Sequence, residues 1–130
     1  DDFGGEQVNL VPGEKPSDPY TTVCNRVIET IAADLKDPEF ERREIAEVVQ
    51  DKVDRKVVKQ TVMTTVYGVT LIGARDQIAN RLREKYGEGG TNEMTPRQVR
   101  EASAYLADRT LKSVGDIFKG AREIMDWLSL

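Results

Sequence analysis

The chain has 130 residues, 38% of them hydrophobic and 32% charged, with a formal net charge of −4. That composition fits one soluble globular domain with a real core and excludes a disordered chain, while the longest uncharged apolar stretch, "YGVTLIGA", is far too short to cross a bilayer. With a single cysteine, Cys24, and no histidine, the chain can form no internal disulfide and no Ser-His or Cys-His nucleophile system.

Residues 1–18, "DDFGGEQVNLVPGEKPSD", hold three glycines and two prolines and read as irregular loop, with no secretory signal in the acidic opening "DDFGGEQ". Asp18 is a candidate N-cap and Pro19 suits a first helical position, so a helix is expected to start there. Val23, Val27, Ile31 and Leu35 recur every four residues as its apolar stripe. Asp37-Pro38 breaks it. Pro38 is expected to open a second helix that buries Phe40, Ile45, Val48 and Val49.

The segment Asp54 to Thr70, "DRKVVKQTVMTTVYGVT", is rich in Val and Thr, which favours a strand by propensity. The placement of charge favours a helix. At 100° per residue, Val58, Val62, Val66 and Val69 make one stripe; Arg55, Lys59, Met63 and Tyr67 make a second. Gly68 is the expected terminator. Residues 74–85 form a basic helix carrying Ile78 and Leu82, and residues 86–95 a flexible loop with three glycines. Thr95 caps and Pro96 starts the last helix, which runs through Val99, Ala102, Leu106, Leu111, Val114, Ile117 and Phe118 to Ile124 and Trp127. Gly115 or Gly120 is positioned to kink or divide it. The fold class is mainly α, a bundle of five or six helices.

Charge is unevenly spread. From Arg26 to Asp54 nine acids face five bases, whereas Arg55 to Gly73 holds three bases and no acid, a local positive patch on an acidic body. If the central segment is a helix, Arg55 and Lys59 stand one turn apart, about 6 Å along the axis. Arg offers a fork of donors and Lys a compact charge, a pair that can hold a triphosphate. Tyr67 falls about 12 Å further along, where a nucleotide laid on the helix would place its sugar and base. Gly68 leaves room for close approach beside the ring. The same letters also describe a solvated basic face and a core-edge tyrosine. Lys56 reads as plain surface charge.

The pattern Arg-x3-Lys-x7-Tyr-Gly, as Arg55, Lys59, Tyr67 and Gly68, resembles the fingers-helix motif of the single-subunit polymerases. The full run "RKVVKQTVMTTVYGVT" is similar to the mitochondrial branch of the phage-type DNA-dependent RNA polymerases. "GGEQVNLVPGEKPSDPYTTV" resembles the segment after that family's first catalytic aspartate. "GARDQIANRL" resembles the piece after its Tyr-Gly, and "FKGAREIMDWL" a later helix. The pieces keep family order over most of the chain.

The resemblance implies the fingers part of a polymerase right-hand fold, in which residues 55–68 form the nucleotide-binding helix. Arg55 and Lys59 would bind the triphosphate of the incoming ribonucleotide, and Met63 would lie near a base. Tyr67, with Gly68 beside it, would help select ribose and couple translocation to pyrophosphate release. The family often has an aromatic against the downstream template where this chain has Ile72. Arg75, Arg81 and Arg83 would either line the downstream DNA channel or be merely solvated. Two Mg²⁺ ions serve phosphoryl transfer in the family. Their aspartate ligands would lie outside this chain, with Asp1 and Asp2 matching by letter only, so the chain alone is expected not to make RNA. The implied partners are ribonucleoside triphosphates, the DNA template with its RNA–DNA hybrid, and mitochondrial initiation factors, in the mitochondrial matrix, with no membrane. A family-A DNA polymerase shares Lys-x7-Tyr-Gly, and a non-enzymatic helical interaction module fits the size and charge; both remain open at this point.

Overall fold

The computed structural model describes residues 18–65 and 67–128, with side chains described as far as Lys119. The expected loop over 1–17 and the stripe positions Val66, Ile124 and Trp127 lie outside that description. Among the described residues there are five helices and no strand: α1 (Pro19–Leu35), α2 (Arg43–Val49), α3 (Arg55–Thr65), α4 (Leu71–Tyr86) and α5 (Pro96–Leu128). The mainly helical bundle read from the sequence is the fold observed.

Local chemistry sets most of the boundaries. The Asp18 carboxylate accepts a hydrogen bond from the Thr21 amide at 2.7 Å, and Pro19 fills the first helical position. At the start of α5, Thr95 and Gln98 form a reciprocal capping box: the Gln98 amide donates to Thr95 Oγ1 and the Thr95 amide to Gln98 Oε1. Thr70 caps α4 by accepting from the Gly73 amide, so that helix begins three residues before the expected position 74.

Pro38 does not open the second helix. Asp37 turns the chain instead, its carboxylate accepting from the Glu39 amide and its carbonyl from the Phe40 amide, and α2 starts only at Arg43. An Asx turn before proline competed with the proline signal and won. Arg43 then closes the preceding helix by donating twice to the Leu35 carbonyl, at 3.0 and 3.2 Å. The last helix runs undivided past Gly115 and Gly120, a length of about 50 Å at 1.5 Å per residue.

Helix α5 packs against the other four helices and forms the centre of the bundle, while α3 is held by α1, α4 and α5 together. The core gathers Val23, Val27 and Ile31 of α1, Ile45 and Val49 of α2, Val58 and Val62 of α3, Ile78 and Leu82 of α4, and Val99, Leu106 and Ile117 of α5. A polar network crosses it: the Tyr105 hydroxyl and Arg109 both donate to Asp34, joining α5 to α1. Burial and the neighbouring Asp34 carboxylate push the Tyr105 phenol well above its ordinary value, so it stays a donor. After α4 the chain folds back on itself, with the Thr91 amide bonded to the Lys85 carbonyl and the Met94 amide to the Tyr86 carbonyl. That return buries Met94 and passes so close that a Cβ on Gly90 would meet the Lys85 carbonyl oxygen at 2.2 Å.

Candidate functional site

Two buried flanks fix the rotation of α3. Val58 and Val62 face the core as the four-residue spacing requires, and Val57 and Thr61 widen that face by a second stripe. The opposite side, with Arg55, Lys56, Gln60 and Met63, is left to solvent, and Lys59, on the same side, is half-buried. Asp54 anchors the start of the helix. Its carboxylate accepts from the Val57 amide at 3.0 Å and from Lys85 at the end of α4 at 2.9 Å. Burial alone would raise Asp54, but Lys85 and the amides of Val57 and Lys56 outweigh it and hold its carboxyl below the usual carboxylate range. Further along, Thr61 donates to the Gln77 side chain at 2.9 Å and Gln77 donates to Thr64 at 3.1 Å. The partners run in opposite directions on the two helices, so α3 and α4 form an antiparallel pair.

Arg55 and Lys59 share a neighbour that the spacing of bases does not reveal. The Arg55 guanidinium lies 4.9 Å from the centre of the Tyr20 ring and the Lys59 ammonium 5.7 Å from it. Both are within cation–π range. Arg55 also donates through Nε to the Asp18 carboxylate at 3.2 Å. The Thr21 amide, and with it the Arg55 charge, holds the Asp18 carboxyl below its ordinary value.

On the other flank of Lys59 lies a groove of about 460 Å³, lined by Lys56, Lys59, Gln60, Met63 and Arg81. Lys56, read from the sequence as plain surface charge, is therefore part of a cationic wall. Its relation to Arg81 depends on the α3–α4 pairing, which no local pattern encodes. Arg81 is paired with Glu84 at 3.0 Å, and Lys56 and Lys59 make no ion pair among the described residues. Met63 is 48% exposed and supplies the groove's apolar surface.

Tyr67 stands elsewhere. Gly68, at φ 79°, closes α3 in a Schellman motif: the Val69 amide reaches the Thr64 carbonyl and the Gly68 amide the Thr65 carbonyl. Gly68 is thus the expected terminator. Tyr67 sits on the turn and not on the helix, 85% exposed, and it does not line the groove. Ile72 is 70% exposed on the first turn of α4. Arg75 and Arg83 are exposed on the same helix, Arg83 bonded to Asn80. The structure therefore brings Lys59, Met63 and Arg81 together at the groove, sets Arg55 beside Lys59 at the Tyr20 ring, and leaves Tyr67, Gly68, Ile72, Arg75 and Arg83 outside the groove. Among the described residues no three His, Cys, Asp or Glu side chains gather where a metal could be held, and no helix is long and apolar enough to cross a membrane. Cys24 is buried, which raises its thiol, with the Asp54 charge adding to the effect.

The family model for DNA-dependent RNA polymerase matches residues 1–130. A Nicotiana tabacum protein named DNA-directed RNA polymerase 2A is 47% identical over 130 residues, covering 98% of this chain and 38% of its own length. The Arabidopsis thaliana mitochondrial DNA-directed RNA polymerase 1 is 48% identical over 129 residues, with 98% of this chain and 13% of its own length covered. The chloroplastic DNA-directed RNA polymerase 3B of Nicotiana tabacum is 47% identical over 130 residues, again with 98% and 13% covered. The chain spans well under half the length of these relatives.

Proposed function

This chain belongs to the DNA-dependent RNA polymerase family, and from that premise we propose that it is the fingers part of such an enzyme and binds the incoming ribonucleoside triphosphate along α3. The observation that carries this reading is the pair of cations one helical turn apart, Arg55 and Lys59, held side by side over one aromatic ring at an exposed helix face. A guanidinium and an ammonium so placed can share the oxygens of one phosphate chain. Met63 offers the adjoining apolar surface. Tyr67 and Gly68, on the turn that ends α3, contact the sugar and base end, and their movement with α3 couples translocation to pyrophosphate release. Arg81, at the groove, and Ile72, Arg75 and Arg83, on a different side of α4, meet the DNA template and its hybrid with RNA at separate places.

Phosphoryl transfer itself is assigned to carboxylates outside the chain. In this reading the part of the enzyme formed by this chain binds and positions substrate. The mitochondrial and chloroplastic names of the relatives support an organelle as the place of action; the mitochondrial matrix and organellar initiation factors are the finer form of the same proposal.

Photo-crosslinking tests the reading. An azido-ATP probe should label Lys59 or Tyr67 of this chain, with unlabelled ATP competing for the label. Labelling scattered over other surface residues, or indifferent to competing ATP, would overturn it.

A further inference from the structure

Arg55 and Lys59 of α3 are not freely solvated side chains. Asp18 occupies Nε of Arg55, at 3.2 Å to one carboxylate oxygen and 3.4 Å to the other. The two terminal nitrogens of that guanidinium make no hydrogen bond among the described residues. Its central carbon lies over the Tyr20 ring, 4.9 Å from the ring centre, and the Lys59 ammonium lies 5.7 Å from the same centre. Tyr20 is itself fixed: it sits on the first turn of α1, half-buried, and packs against the core. Its helix start is pinned by the Asp18 cap, so the carboxylate that holds Arg55 is also the one that caps the start of α1.

Two long side chains on an exposed helix face normally sample many rotamers, and ordering them when an anion binds costs conformational entropy. A shelf that holds both in place removes much of that cost in advance. We propose that Tyr20 is a positioning residue for polyphosphate binding: its ring, with Asp18 beside it, aligns Arg55 and Lys59 so that their remaining donors meet one triphosphate chain. This rests on the reading of α3 as the phosphate-binding helix and adds to it a residue from a different helix, 35 positions before Arg55 in sequence. The ring does the aligning, and the phenol hydroxyl is not required.

Calorimetric titration of the chain with inorganic tripolyphosphate at low ionic strength tests this, with each variant checked for an unchanged melting transition. The set comprises the unaltered chain, Tyr20→Phe, Tyr20→Leu, the double change Arg55→Ala with Lys59→Ala, and that double change combined with Tyr20→Leu. Tyr20→Phe should bind like the unaltered chain and Tyr20→Leu about fivefold more weakly, the scale of two exposed cation–π contacts. In the background lacking both cations, Tyr20→Leu should change nothing. A Tyr20→Leu chain that binds normally, or one equally weakened in that background, overturns the positioning role alone. Binding that is absent, or unaffected by loss of Arg55 and Lys59, overturns the phosphate-binding reading and the positioning role with it. Should Tyr20→Leu fail to fold, Tyr20→Met fills a similar volume without a ring and decides by the same outcomes.

Discussion

Lys85 Nζ lies 2.9 Å from the Asp54 carboxylate and so ties the last turn of α4 to the residue that starts α3. The same carboxylate accepts the Val57 amide, which makes Asp54 both a cap and an ion-pair partner. Asn is as good a cap as Asp but carries no charge. Asp54→Asn should therefore cost under about 1 kcal/mol at neutral pH, the scale of a half-exposed pair. Because the folded-state pKa of Asp54 is lowered, its contribution is present above the unfolded value and lost as pH falls through the folded one. Melting curves from pH 7 down to about pH 3 should show the two chains converging in stability at the acid end. A gap that persists there would assign the effect to something other than charge.

Gly68 can be tested by backbone alone. A Cβ there would meet no atom within 4 Å, yet φ is 79°, a conformation that costs an L-residue about 1–2 kcal/mol. Gly68→Ala should lower stability by that amount and Gly68→Asn by less, as read by urea unfolding. Equal stability of all three would contradict the Schellman geometry.

The Asp34 network should respond unequally to its two donors. Tyr105→Phe removes one hydrogen bond and leaves Arg109 on Asp34 at 3.0 Å, at a cost of about 1–2 kcal/mol. Arg109→Ala strands a carboxylate that is only 16% exposed and should cost more. Chemical denaturation of both variants measures the order, and a reversed order would mean that Tyr105, not Arg109, carries the compensation for that charge.

Thr110 is fully buried on α5, and its hydroxyl finds no hydrogen-bond partner among the described residues. Thr110→Val keeps the branched shape and discards the unpaired hydroxyl, so it should stabilise the fold by about 1 kcal/mol. Thermal unfolding would show a higher midpoint; a lower one would mean that the hydroxyl has a partner after all.

The parts of this molecule that were legible in its sequence are those whose causes are local. Asp18-Pro19 and Thr95-Pro96 announce helix starts because a cap and a fixed φ act within one turn. The buried face of α3 could be read through Val58 and Val62 because a helix repeats its face every four residues, and Gly68 ended it because only glycine takes a positive φ without strain. Arg55 and Lys59 were singled out correctly as neighbours on one helix face, but Tyr20 beneath them was not. Nothing in the order of residues says that the first turn of α1 packs beside α3. Lys56 was passed over for the same reason, since its groove exists only once α4 brings Arg81 alongside. Tyr67 stands on the closing turn, its amide bonded to the Thr64 carbonyl, because ideal helical spacing ignores the tightening of a helix's last turn.

The central claim is that α3 receives the triphosphate of a ribonucleotide at Arg55 and Lys59, and a titration of isotope-labelled chain with ATP, followed by backbone amide shifts, tests it most directly. The account predicts saturable shifts concentrated at residues 55–63 and around Tyr20, lost on replacing Arg55 and Lys59 by alanine and much reduced with adenosine in place of ATP. Shifts centred on α2 or the exposed face of α5, or a response that survives removal of both cations, would contradict it.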